Sequence, residues 1–198
     1  SFSKTIAKDK SHHIIMASPI ANSSCAILAL LLLGSLFFTP SSAITKTDVT
    51  TICSQTKNPS SCSTYLNSIP GLPAKTFEDL GLMTADKVLH NIINTLDLID
   101  KLDQQKRVPR EEETLTHCYH YYNQWTEALL LAKATFGGGT TFRMVIVAGT
   151  IVGLAVQCQK EVQGTTLPLA ANNLRIEGYS SVLQILAEHV QLKKSLHQ

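Results

Sequence analysis

Four stretches of this chain repeat apolar side chains at alternating intervals of three and four residues, a spacing that an α-helix gathers onto one side. The stripe is cleanest in residues 111–136, as Leu115, Cys118, Tyr122, Trp125, Leu129, Ala132 and Phe136. After Gly137-Gly138-Gly139 it resumes as Met144, Ala148, Ile151, Ala155 and Cys158. Residues 76–106 carry Ala85, Val88, Leu89, Ile92, Leu96, Ile99 and Leu102, and Arg107-Val108-Pro109 ends that stretch. A last stripe, Ile176, Tyr179, Leu183, Leu186 and Val190, belongs to a helix starting near Ala170. Long amphipathic helices joined by short connections predict an all-α antiparallel four-helix bundle. Met144–Val156 is rich in valine and isoleucine, which also permits a strand there; helix is the preferred reading.

The N-terminal part has a different character. From Met16 a short polar segment leads into the apolar run Cys25–Phe38, followed by Thr39-Pro40-Ser41-Ser42-Ala43. A short apolar core, a helix-breaking proline and small residues at Ser41 and Ala43 read as a signal peptide cleaved after Ala43. The alternative is an uncleaved signal anchor, and no basic stop-transfer cluster follows to favour it. Residues 1–15 precede Met16 and read either as a basic n-region or as translated upstream sequence. The expected organisation is therefore a leader over 1–43 and one domain over 44–198. Removing Lys4, Lys8, Lys10 and Asp9 takes the formal net charge from +2 to zero. A neutral chain without a basic stripe predicts neither nucleic acid nor, after cleavage, a membrane as partner.

Residues 46–69 read as two short helices meeting at Asn58-Pro59, with Asn58 as N-cap and Pro59 in the first helical position. Ile69-Pro70-Gly71-Leu72-Pro73 then breaks the chain. With Cys25 in the leader, Cys53, Cys62, Cys118 and Cys158 remain, an even set that a secretory route oxidises to two disulfides. Three pairings are formally open. Placement favours 53–62, flanking the turn, and 118–158, on two neighbouring helical stripes.

No constellation for catalysis is visible. Gly-x-Ser-x-Gly, His-Glu-x-x-His and a glycosidase-like carboxylate pair are all missing, and the triple glycine lacks the Lys-Ser/Thr of a phosphate loop. His117-Cys118-x-His120 has zinc-ligand residue types, but a cysteine in an oxidising compartment is expected to be bridged, so neither metal nor cofactor is predicted. Gly149-x-x-x-Gly153 reads as part of a buried bundle helix because the surrounding apolar run is short for a membrane span. Glu111-Glu112-Glu113 follows Pro109, where acidic residues complement a helix N-terminus. Asn58-Pro59-Ser60 is disqualified for N-glycosylation by its proline.

The leader, the run Ile52-Cys53-x-x-Thr56-x-x-Pro59-x-x-Cys62-x-x-x-Leu66, the Cys118-x-x-x-Tyr122 helix and Cys158 together resemble the plant invertase and pectin methylesterase inhibitor family over residues 46–190. The resemblance implies a helical hairpin on a four-helix bundle, disulfides joining the first cysteine to the second and the third to the fourth, and no catalytic residues. It also implies a secreted protein of the cell wall or apoplast, or of the vacuole, that binds a target enzyme and blocks its substrate cleft. Invertase-directed members carry Pro-Lys-Phe before the fourth-cysteine helix. The matching place here is Thr140-Thr141-Phe142, which keeps only the aromatic and tips the expected target towards pectin methylesterase over invertase. These three residues are the candidate partner contacts. Gln157 stands where threonine usually precedes the fourth cysteine. The alternative is a non-inhibitory secreted helical protein of the same family, with a pollen-protein, storage or signalling role.

Overall fold

The computed structural model describes residues 44–138 and 140–196; the expected leader lies outside them. Among the described residues there are six α-helices and one 3-10 turn: α1 (Lys46–Ser54), α2 (Pro59–Asn67), the turn Leu72–Ala74, α3 (Phe77–Asp103), α4 (Pro109–Thr135), α5 (Thr141–Val162) and α6 (Ala170–Ser195).

Local chemistry accounts for where several of these helices begin. Thr45 and Asp48 form a reciprocal capping box at α1, and Thr76 and Asp79 repeat it at α3. Asn58 caps α2 through its side chain, which accepts from the Ser61 amide, and Pro59 and Pro109 occupy first-turn positions where a missing N–H costs nothing. Gly71 sits at φ 67° before the 3-10 turn, a backbone region that glycine enters without strain.

α3 to α6 pack so that sequence neighbours are spatial neighbours, with α6 closing back on α3, giving the antiparallel four-helix bundle. The sequence stripes meet inside it: Val88, Ile92, Leu115, Leu129, Met144, Ile151, Ile176 and Leu183 belong to one buried cluster. Val145, Val152 and the rest of the valine-rich run are helical, which removes the strand alternative. α5 is 22 residues long with a most apolar window of mean hydropathy 1.7, enough by length and composition to cross a membrane. Its row Met144, Ala148, Ile151, Ala155 and Cys158 is nevertheless packed in the bundle core.

Two disulfides connect Cys53 to Cys62 and Cys118 to Cys158. The first closes a separation of 9 residues and holds α1 to α2; the second closes 40 and joins α4 to α5 inside the core. Beside the second bridge, the Tyr122 hydroxyl donates to Asn173 Oδ1 at 2.7 Å, satisfying both buried polar groups. Burial, with a smaller contribution from the Glu177 charge, pushes the Tyr122 phenol far above its ordinary range, so it remains a donor.

The hairpin has its own core of Ile44, Val49, Ile52, Leu66 and Ile69, completed by Leu80 of α3 and Val182, Ile185 and Leu186 of α6. α6 therefore buries two faces, one in the bundle and one under the hairpin. That is why its apolar side is wider than the single stripe read from sequence.

Candidate partner-binding surface

The connection between α4 and α5 is built from the inside outward. Phe136 ends α4 in the core, and its ring lies against Gly81 of α3, where an added Cβ would come within 2.5 Å of Phe136 Cε1. Gly137 turns the chain at φ 91°, with the Glu78 carboxylate occupying the space a side chain would need. The Lys194 ammonium at the end of α6 donates to the Gly137 carbonyl and, at 3.4 Å, to the Thr141 hydroxyl. The Thr140 hydroxyl donates to the Thr135 carbonyl at 3.1 Å, tying the start of α5 to the end of α4.

This arrangement separates the three candidate contact residues. Thr141 is 2% exposed, so it supports the connection from within and has almost no surface to offer a partner. Phe142 is 59% exposed, and Thr140 is exposed beside it. One turn further along, Ile146 is 47% exposed, continuing the outward apolar row. Sequence reading missed Ile146, although the signal was present: Phe142, Ile146, Gly149 and Gly153 follow their own 4, 3, 4 spacing, offset from the buried row.

The opposite end of the bundle is held by different chemistry. Glu111 accepts from the Thr166 amide at 3.0 Å and the Thr166 hydroxyl at 2.7 Å, and Arg107 Nη1 approaches it at 3.5 Å. The Thr166 hydroxyl and amide, then Arg107, hold the Glu111 carboxyl below its ordinary range. Arg110 donates to the Gln163 carbonyl at 3.1 Å. The sequence reading gave Glu111 a helix-start role alone; the structure adds a clamp on the α5–α6 loop, which no local pattern reveals.

Two of the three residues with zinc-ligand chemistry, His117 and Cys118, have other partners. Cys118 is in the bridge to Cys158, and His117 Nδ1 lies 2.8 Å from Glu161 Oε2. Tyr121 donates to the other Glu161 oxygen at 2.8 Å, and this bond raises its phenol pKa. Among the described residues, no group of three or more His, Cys, Asp or Glu side chains is arranged to hold a metal ion.

The family model for the plant invertase/pectin methylesterase inhibitor matches residues 47–182. No curated protein matches the chain. Among solved structures, a mutant form of a pectin methylesterase inhibitor from Arabidopsis superposes with a TM-score of 0.65 at 20% identity, covering 71% of this chain and 95% of that one. A pectin methylesterase inhibitor from Arabidopsis thaliana gives a TM-score of 0.55 at 19% identity, covering 73% and 97%. At this level of identity the two structural likenesses show a common fold.

Proposed function

The chain belongs to the plant invertase/pectin methylesterase inhibitor family, and on that premise we propose that it is a secreted inhibitor of a cell-wall carbohydrate-active enzyme, with pectin methylesterase favoured over invertase. The protein acts by reversible association that covers the enzyme's substrate cleft and performs no chemistry itself. One observation carries the choice of contact surface: Phe142 is 59% exposed at a connection whose neighbours are tied down by Lys194 and Thr140. An aromatic side chain held on a fixed backbone loses little freedom on entering a partner's pocket, which suits a binding anchor. Thr140-Thr141 in place of Pro-Lys supports pectin methylesterase as the target.

The deciding experiment titrates the purified protein against a plant pectin methylesterase and an acid invertase between about pH 5 and 7, the range over which histidine charge changes. Saturable inhibition of the esterase, with weaker or no inhibition of the invertase, is the expected outcome. Inhibition of invertase alone would reverse the choice of target. Binding to neither enzyme would leave the non-inhibitory reading.

A further inference from the structure

The hairpin and α6 form an open trough, made of a cleft of about 770 Å³ and an adjoining one of about 460 Å³. Ser61, Tyr65 and Tyr179 line both, so the two are continuous. The Tyr65 and Tyr179 rings meet edge to face with centroids 4.8 Å apart, forming an aromatic floor at the junction. Val152 and Leu174 extend the apolar floor at one end.

The walls are rich in groups that both donate and accept. Ser60, Ser61 and Ser181 supply hydroxyls and Asn58 an amide, and the Asn58 oxygen alone is engaged, by the Ser61 amide. Four charged side chains line the trough. Lys57 and Glu177 neutralise one another at 2.9 Å. Arg175 and Lys87 remain; the Lys87 ammonium stands 5.8 Å from the Tyr179 ring centroid. The nearby Asp86 carboxylate is engaged by Lys133. The trough thus has a net positive charge. Arg175 and Tyr179 are one α-helical turn apart, about 6 Å along the axis, so the two cations succeed one another along its length.

We propose that this trough binds a linear acidic oligosaccharide, a chain of uronic-acid residues. Sugar rings present C–H faces to an aromatic floor and hydroxyl edges that need partners able to donate and accept. Carboxylates at successive residues answer Arg175 and Lys87. An acidic peptide would satisfy the cations and could bond to the hydroxyls, but its backbone has no broad C–H face to lay on the Tyr65–Tyr179 pair. The site lies on the hairpin side of α6, and its occupancy does not depend on inhibition of any enzyme.

The test uses the purified protein alone, with calorimetry and amide chemical shifts as readouts. The probes are a galacturonic-acid hexamer, the same hexamer with its carboxyls methyl-esterified, neutral maltohexaose, and poly-glutamate. Expected are binding of the acidic hexamer, shifts at Ser61, Gly178 and Tyr179, loss of about tenfold or more in affinity on esterification, and no binding of maltohexaose. Arg175→Gln and Lys87→Gln, both at exposed positions, should each weaken the acidic hexamer severalfold, while Lys101→Gln leaves it unchanged. Absence of binding, shifts confined to other surfaces, or insensitivity to both substitutions overturns the proposal. Equal or tighter binding of poly-glutamate overturns the saccharide assignment.

Discussion

Glu111, in the first turn of α4, accepts two hydrogen bonds from Thr166, a residue 55 positions away in the loop that leads to α6. The contact fastens the two loops at one end of the bundle to each other, with Arg107 adding its Nε donation to the Leu102 carbonyl at 2.8 Å. Its energetic worth depends on the ionised carboxylate, because a protonated carboxyl is a weaker acceptor.

That dependence predicts an acid-labile component of stability. The folded Glu111 pKa lies below its unfolded value, so the contribution is fully present above the ordinary carboxylate range. It is lost as pH falls through that range towards the folded pKa. Asp48 and Asp79, lowered by their hydrogen bonds with Thr45 and Thr76, act in the same direction. Melting temperature followed from about pH 7 to pH 3 should fall for the wild-type protein, and Glu111→Gln should start lower and show a shallower acid limb. Parallel curves for the two proteins would contradict the assignment.

Phe142→Ala should leave stability within about 0.5 kcal/mol of wild type, since the ring is mostly exposed. The same substitution should weaken association with the target enzyme by about 2 kcal/mol. Urea melts and inhibition titrations of one preparation separate the two quantities. Unchanged inhibition by a folded variant would remove Phe142 as the anchor.

Two glycines in long helices should respond in opposite directions to alanine. At Gly81 the new methyl would meet the buried Phe136 ring, so Gly81→Ala should destabilise the protein by about 1–3 kcal/mol. At Gly153 nothing lies within 4 Å of the new Cβ, and Gly153→Ala should stabilise by up to about 1 kcal/mol through helix propensity. Denaturation midpoints measured at constant m-value provide the comparison.

Removing the Cys118–Cys158 bridge should destabilise more than removing Cys53–Cys62. On the chain-entropy account, separations of 40 and 9 residues correspond to about 4 and about 2.5 kcal/mol. Double alanine variants at each pair, compared by urea denaturation, should show that order. An equal loss would mean that packing around the sulfurs outweighs loop closure.

On the proposed secretory route, the mature protein should begin at or near Ile44 and carry no reactive thiol, because cleavage after Ala43 would remove Cys25 and Cys53–Cys62 and Cys118–Cys158 are bridged. Ile44 is buried in the hairpin core and its nitrogen donates to the Lys75 carbonyl at 3.3 Å, so trimming one residue further would forfeit a packed position. Intact mass and a thiol assay on secreted material decide this; a retained leader would contradict it.

Periodicity was sufficient to locate the helices, because the 3.6-residue turn imposes its spacing on every helix that buries one side. Asn58-Pro59 marked the hairpin turn because capping and proline geometry act within a few residues. The family was legible for a similar reason: its cysteine and proline spacing expresses a local hairpin geometry. The candidate contacts were located only as a segment.

Spacing could not divide Thr140, Thr141 and Phe142 into supports and surface, because Thr141 meets Lys194, a residue 53 positions away, and no local pattern reveals that contact. The same limit hid the Glu111–Thr166 clamp, the second buried face of α6 and the trough beneath the hairpin. The sequence by itself determined the helices, their polarity and the residues able to face a core, since these follow from interactions within one or two turns. Only the tertiary structure decided which apolar faces were covered and which cations stayed unpaired, because those outcomes depend on the packing of segments that are distant in sequence.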